Sequence, residues 1–470
     1  MPEQALGLAD LDHHTILIVG VGREGLALAR RLQQRAAPPV IIGVDTADND
    51  HVAAWRQELG DGATLEILDV ASPSALEQVG LATIAVMSPG IPASGALYGF
   101  IQDLGIPMTS GSALFVADYG SSMVGVTGSK GKSTTTTVIH QLLVASGSQA
   151  SLGGNMGIPL QGIDPQDRCV AEFSSYQCHY LQASPDVVVL TALFPEHLDW
   201  HGSQENYFRD KLSILANQPR VVIANGEDPT LRHELTKRYP EQEITWVGTG
   251  EMWHLEPDGA DSWLVKGDQK LFHTGSSQVI GSHNHLNMLL ALAGAEATGA
   301  LDDAIISATL ASFTPLPHRL EKISDPSGVI FVNDSLATNP QAAGAALGSL
   351  SSPEMVWLVG GTDRGVDYQV LIDQVVATKP AHILGLPESG AHLVEQFEQA
   401  LEAAGVSDSV HCEVMESMMS AITRARQLAG PGDIVLLSPG APSFGQYRDY
   451  QHRAEDFLHC ITATIPKETP

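Results

Sequence analysis

The chain has 470 residues, room for about three domains at roughly 100–200 residues each, and its apolar fraction of 43% is ordinary for a globular protein in water. Lys and Arg number 25 against 54 Asp and Glu; the net charge of −29 repels nucleic acid and anionic lipid and excludes them as expected partners. No apolar run reaches the ~20 residues of a membrane span, and residues 1–12 lack the basic-then-apolar pattern of a signal peptide, so a cytoplasmic protein is expected. Cys169, Cys178, Cys412 and Cys460 form no CxxC pair and read as free thiols.

Residues 15–19 are a β-rich run. Gly20-Val21-Gly22-Arg23-Glu24-Gly25 and a helical stretch to about Gln34 follow. Residues 40–44 form a second apolar run ending at Asp45, and residues 83–87 a third, stopped by Ser88-Pro89-Gly90. This alternation predicts a parallel sheet with helices on its faces. Gly20, Gly22 and Gly25 fit the GxGxxG turn, with Asp45 twenty residues beyond Gly25. Such a turn brings a diphosphate to a helix N-terminus. Alone it suits NAD and an oxidoreductase, another nucleoside diphosphate, or a purely structural tight turn.

A second α/β segment opens at residues 123–126 and enters Thr127-Gly128-Ser129-Lys130-Gly131-Lys132-Ser133-Thr134-Thr135. Glycines let backbone N–H groups curl round phosphate oxygens, Lys132 can reach the β- and γ-phosphates, and the Ser133 hydroxyl can hold Mg²⁺. The spacing departs from GxxxxGK[ST], since Val126 holds the first glycine position. Further strands are expected at 169–173, 187–192 and 220–224. Asn155 lies in a donor-rich loop, Gly153-Gly154-Asn155-Met156-Gly157-Ile158-Pro159. Glu172, near the end of a buried strand, suits a metal ligand beside the phosphates or a helix-capping acid. His197 stands in Pro195-Glu196-His197-Leu198-Asp199-Trp200-His201-Gly202, just past a strand, where open α/β sheets bind ligands. Lys211, in Tyr207-Phe208-Arg209-Asp210-Lys211-Leu212, looks from pattern alone like a helix-face lysine. Asn284 and Asn287 share one helix face, suited to an adenine edge or to capping.

The third segment begins after a linker at Pro315-Leu316-Pro317-His318-Arg319, with strands expected at 329–332, 355–359, 381–385 and 433–437. Asn333-Asp334-Ser335 sits near that linker.

Taken in order, these motifs resemble the Mur ligase family, and its glutamate-adding branch in particular, from about Gly20 to Phe457. The resemblance implies three consecutive α/β domains. Residues 1–110 would be Rossmann-like and bind a UDP-sugar; 111–316 would be P-loop ATPase-like and bind ATP; 317–470 would be Rossmann-like and bind the amino acid. It assigns Gly20, Gly22, Gly25, Asp45 and Ser88 to the sugar nucleotide and Asn155 to its muramoyl part. ATP falls to Gly128, Ser129, Lys130, Gly131, Lys132, Ser133, Thr134, Asn284, Asn287, Arg319 and Asp334. Two Mg²⁺ ions fall to Ser133, Glu172, His197 and a Lys211 carbamylated by CO₂, with Lys132, His197 and Lys211 catalytic. Thr338, Arg364, Ser443 and Tyr450 would line the amino-acid pocket. The implied reaction is ATP-driven addition of glutamate to UDP-N-acetylmuramoyl-L-alanine through an acyl phosphate, by a monomer.

Three departures fall in that pocket. Leu336 replaces the lysine of the usual Asn-Asp-Ser-Lys-Ala-Thr-Asn stretch, Arg364 a second lysine, and Tyr450 a phenylalanine. The Gly-Arg-Glu-Gly, Gly-Ser-Lys-Gly-Lys-Ser, 194–202 and 361–367 stretches agree better with the branch that adds L-glutamate. D-glutamate addition is the alternative, and an NAD-dependent oxidoreductase or a non-catalytic nucleotide-binding regulator lies further off.

Overall fold

The computed structural model describes residues 5–67, 77, 79, 81–156, 158–259, 261–299, 301–314, 317–350, 354–363 and 365–465. Near-continuous apolar runs become strands buried on both faces, as parallel sheets covered by helices require. The first sheet holds β1 (Thr15–Val19), β2 (Val40–Asp45), β3 (Thr64–Ile67), β4 (Ile84–Met87) and β5 (Met108–Ser110), in the order β3-β2-β1-β4-β5. Every pairing is parallel; Ile16 stands opposite Ile41 on one side and Ile84 on the other. The order reverses between β1 and β4, the crevice where open α/β sheets bind ligands. Helix α1 (Arg23–Gln33) starts at Gly22 and buries Leu26, Leu28, Ala29 and Leu32 against this sheet's core.

The second sheet holds β6 (Met123–Thr127), β7 (Ala150–Gly154), β8 (Arg168–Glu172), β9 (Val187–Leu190), β10 (Val221–Asn225), β11 (Ile244–Val247), β12 (Trp253–Asp258), β13 (Asp261–Lys266) and β14 (Gln269–His273). Its order is β14-β13-β12-β11-β10-β9-β6-β8-β7. The strand that feeds the phosphate loop, β6, is central, with parallel partners β8 and β9. Helices α2 (Lys132–Ala145), α3 (Ser175–Cys178), α4 (Leu198–His201) and α5 (Gln204–Leu212) follow the C-terminal ends of its strands, and α6 (Ser282–Glu296) comes after β14.

The third sheet holds β15 (Glu321–Ser324), β16 (Ile330–Asn333), β17 (Val356–Val359), β18 (His382–Gly385), β19 (His411–Val414) and β20 (Ile434–Leu437), in the order β15-β16-β20-β17-β18-β19. Only β15 runs antiparallel. Helix α7 (Tyr450–Ala463) buries Arg453, Ala454, Phe457, Cys460 and Ile461.

Each of the three segments expected from sequence thus carries its own parallel-dominated sheet, and the class is α/β as expected. Packing groups the chain into two compact units: Met1–Leu255 with Leu264–Phe272 and Leu286–Thr309, and Glu256–Trp263 with His273–His285 and Leu310–Pro470. Among the described residues no helix is long and apolar enough to cross a membrane. Arg364, and Pro315 and Leu316 of the expected linker, lie outside the described residues.

Candidate active site

The phosphate loop turns at Gly128 (φ 148°) and Gly131 (φ 89°), conformations that glycine adopts without steric cost. There is also no room for a side chain. A Cβ on Gly128 would lie 2.0 Å from Thr191 Oγ1, and one on Gly131 2.3 Å from Asn287 Oδ1. Asn287 therefore packs on the loop, whereas Asn284 donates to Ile280 O at 2.9 Å and closes the turn before its own helix. Ser129 braces the loop: its N–H donates to Ala192 O (2.6 Å), and its hydroxyl donates to Phe194 O (2.7 Å) and accepts from Phe194 N (3.0 Å). Lys130 pairs with Glu196 at 3.7 Å. Ser133 and Thr134 sit in the first turn of α2, whose N–H groups and dipole favour an anion. Lys132 Nζ folds back to Gly128 O (2.9 Å) and Ser129 O (3.0 Å).

Lys211 is not the solvated helix-face lysine that its pattern suggests. Tyr207, Phe208 and Leu212 anchor α5 in the core with Val188, Leu190 and Leu193, which leaves Lys211 only 2% exposed. Its Nζ donates to Gly128 O at 2.9 Å, the same carbonyl that Lys132 holds. Burial, and then the neighbouring Lys132 charge, push the Lys211 ammonium down to about 7. Near neutrality it is therefore partly a free amine.

Glu172 ends β8 and is 2% exposed. Asn155 Nδ2 donates to its Oε1 at 2.9 Å; Oε2 is buried with no hydrogen-bond partner among the described residues. An unsatisfied buried carboxylate oxygen is costly and calls for a cation. Among the described residues no three His, Cys, Asp or Glu side chains gather into a metal cage. A lone buried carboxylate with one open oxygen suits magnesium, which takes one or two carboxylates and completes its shell with phosphate oxygens and water. His197 caps α4 in a left-handed conformation (φ 54°, ψ 39°), with its ring centroid 5.1 Å from that of Tyr176.

The glycine turn after β1 is built as the fingerprint requires. Gly20 has φ 88°, and a Cβ there would lie 2.7 Å from Ser88 Cβ. A Cβ on Gly25 would lie 2.5 Å from Gly20 O, whereas nothing lies within 4 Å of one on Gly22. The Asp45 carboxylate accepts from Thr46 N (2.8 Å) and Val21 N (3.4 Å), tying β2 to the turn. A cleft beside the turn is lined by Gly25, Ser88, Gly111 and Glu24. Sequence reasoning missed Glu24, whose carboxyl accepts from Gln177 Nε2 at 2.9 Å and is pushed up to about 7 by burial.

In the C-terminal unit, Asp334 accepts from Ser438 Oγ (2.7 Å) and Leu320 N (3.3 Å), beside the half-buried Arg319. Ser443 lines a small pocket with Gly360, Gly361, Thr362 and Arg453. Thr338, whose N–H bonds Leu336 O, is not among its lining residues, nor is Tyr450, the first residue of α7. Arg453 was also missed. It donates to Ala441 O (3.0 Å) and Ser335 O (2.9 Å) and joins the loops that follow β16 and β20. Its place on the apolar stripe of α7 was the available signal.

Residues 126–295 match the Mur ligase middle domain, and residues 318–440 the Mur ligase glutamate ligase domain. A Micromonospora protein named UDP-N-acetylmuramoyl-L-alanine--L-glutamate ligase is 39% identical, over 97% of this chain and 98% of its own. Proteins of the same name from Salinispora tropica and Xanthomonas euvesicatoria are 38% and 34% identical, over 97% and 96% of this chain and 99% and 95% of theirs. The fold is shared with the MurF ligase of Thermotoga maritima solved with ADP (TM-score 0.59, 17% identity, 91% of this chain and 96% of that one). It is shared too with the UDP-N-acetylmuramate-alanine ligase of that organism (TM-score 0.56, 16% identity, 96% and 100%). Full-length identity to named relatives, both family domains and a lysine-rich phosphate loop on a central strand set aside the dehydrogenase reading of the first glycine turn: the chain belongs to the Mur ligase family.

Proposed function

We propose that this protein joins L-glutamate to UDP-N-acetylmuramoyl-L-alanine at the expense of ATP, in the making of cell-wall precursors. The carrying observation is the 39% identity, across nearly the whole of both chains, to a ligase of that name. A carboxylate is a poor acylating agent, so ATP first converts the alanyl carboxylate to an acyl phosphate, which the glutamate amine attacks with loss of phosphate. Lys132 and the first turn of α2 hold the phosphates and oppose charge on the transferred group. The free-amine character of Lys211 suits carbamylation by CO₂, which turns a cation into a second carboxylate beside Glu172. When bound, magnesium neutralises phosphate charge; Glu172, Ser133, His197 and the Lys211 carbamate would hold it. Asn284, Asn287, Arg319 and Asp334 keep the ATP-contact role that resemblance assigns. The domain limits 110/111 and 316/317, the monomer and a cytoplasmic location belong to this reading.

Selectivity for the L-enantiomer rests on the name shared by the relatives and on the sequence departures Leu336, Arg364 and Tyr450. A pocket selects a hand by requiring the amine and both carboxylates in place at once. The wrong hand strands a buried charged partner, at about 2–5 kcal/mol, or roughly 30-fold and more. Product formation with each glutamate enantiomer, at saturating ATP and sugar nucleotide, tests this. Higher kcat/KM for L-glutamate is expected; faster ligation of D-glutamate would overturn the assignment.

A further inference from the structure

Glu172, His197 and Lys211 come from three separate chain segments, so the covalent chain does not fix their mutual geometry. Each segment also carries one member of a buried polar network. Ser175 follows Glu172 by three residues, His201 follows His197 by four, and Asp210 precedes Lys211. His201 Nδ1 lies 2.8 Å from Asp210 Oδ2, and His201 Nε2 lies 3.0 Å from Ser175 Oγ. With Nδ1–H donating to the carboxylate, Nε2 is left to accept the Ser175 hydroxyl proton. His179 Nδ1, one residue past α3, lies 3.0 Å from the same Asp210 oxygen. Arg209 donates to Oδ1 from Nη2 (2.9 Å) and Nε (3.1 Å). The Tyr176 ring stacks on His201 at 5.7 Å and tilts over His197 at 5.1 Å, which couples the network to the proposed ligand itself.

Ser175, His201 and Asp210 are 2%, 5% and 3% exposed. Serine, histidine and aspartate in this order match a hydrolytic triad, but no substrate carbonyl can reach a hydroxyl so enclosed at the first position of a helix. Full burial with full satisfaction suits a rigid brace instead.

We infer that Ser175, His201 and Asp210 are positioning residues that lock α3, α4 and α5 together and so set the spacing of Glu172, His197 and Lys211. This rests on the metal-site reading above. Groups that orient metal ligands typically contribute about 10–100-fold in metal affinity when removed.

The test is Mn²⁺ binding to the full-length protein with a non-hydrolysable ATP analogue, followed by electron paramagnetic resonance in the absence of turnover. In parallel, ¹³C NMR with labelled bicarbonate reports a carbamate at Lys211. Glu172→Gln tests the underlying reading; undiminished Mn²⁺ binding in that variant would refute the metal site itself. If Glu172→Gln loses Mn²⁺, His201→Gln should weaken it about 10–100-fold and Ser175→Ala by about three- to tenfold. The carbamate signal should shrink in both. Ser175→Ala removes only one buried hydroxyl and keeps the test available if His201→Gln does not fold. Wild-type Mn²⁺ affinity in folded variants, even with a lowered Tm, would reduce the network to ordinary core structure.

Discussion

Two ammonium groups donate to one carbonyl oxygen at the centre of the site, Lys132 and Lys211 on Gly128 O. Their mutual repulsion and the burial of Lys211 work in the same direction, toward a neutral amine on the deeper residue. The carbamylation proposed for Lys211 requires that neutral form, so on that proposal protonation as pH falls below about 7 should remove the carbamate and activity together. Activity should therefore rise with pH through that value and rise with added bicarbonate. Lys211→Ala should be nearly inactive and partly recover in the presence of a small carboxylate such as acetate. Normal ligation by this variant without additive would return the residue to a packing role. The sequence pattern could not reveal this environment, because the burial of Lys211 depends on Tyr207 and Phe208 reaching the core. The phosphate loop was legible because its glycines, lysine and serine are contiguous. The Ser175–His201–Asp210 network was not, since its members lie 26 and 9 residues apart and meet only in space.

The strand–turn–helix element that opens the chain shows what a glycine pattern does and does not say. Gly20, Gly22 and Gly25 look equivalent in sequence, yet only two are sterically required. At Gly25 a methyl group would meet Gly20 O at 2.5 Å and Ile18 Cγ2 at 3.0 Å, and the backbone oxygen cannot rotate away. Gly25→Ala should therefore lower stability by about 1–3 kcal/mol, the usual range for overpacking, seen as a lower denaturant midpoint. Gly22 has φ −63° and open space where its Cβ would stand. Gly22→Ala should cost less, under about 1 kcal/mol, through the poorer N-cap alone. Equal effects of the two substitutions would contradict this division. The strands with continuous apolar runs and the parallel class were readable, whereas β3, β5, β7, β11 to β14 and β19 were not picked out, nor was β15, which pairs antiparallel with β16 and whose Glu321 and Lys322 hide it.

For the whole molecule, a net charge of −29 means that raising the pH adds to self-repulsion in the folded state. Most of that charge is solvated and screened; Glu24 is one of the carboxyls that are not. Burial outweighs the opposing Gln177 hydrogen bond and the Arg23 charge, and holds its carboxyl near 7, against 4.5 in an unfolded chain. The folded state thus retains a proton that the unfolded state releases between those two values. Stability from this group is complete below 4.5 and is lost as pH rises through about 7, the reverse of an ion-paired acid. Glu24→Gln keeps a hydrogen-bonding partner for Gln177 and cannot ionise. Its surface charges are otherwise those of the wild type, so the general repulsion cancels in the difference. At pH 8.5 the variant should be the more stable, by on the order of 2 kcal/mol after allowance for partial solvent access. At pH 5.5 most of that gain should have gone. Paired thermal melts at these pH values decide the matter: a gain independent of pH would mean that Glu24 is ionised throughout.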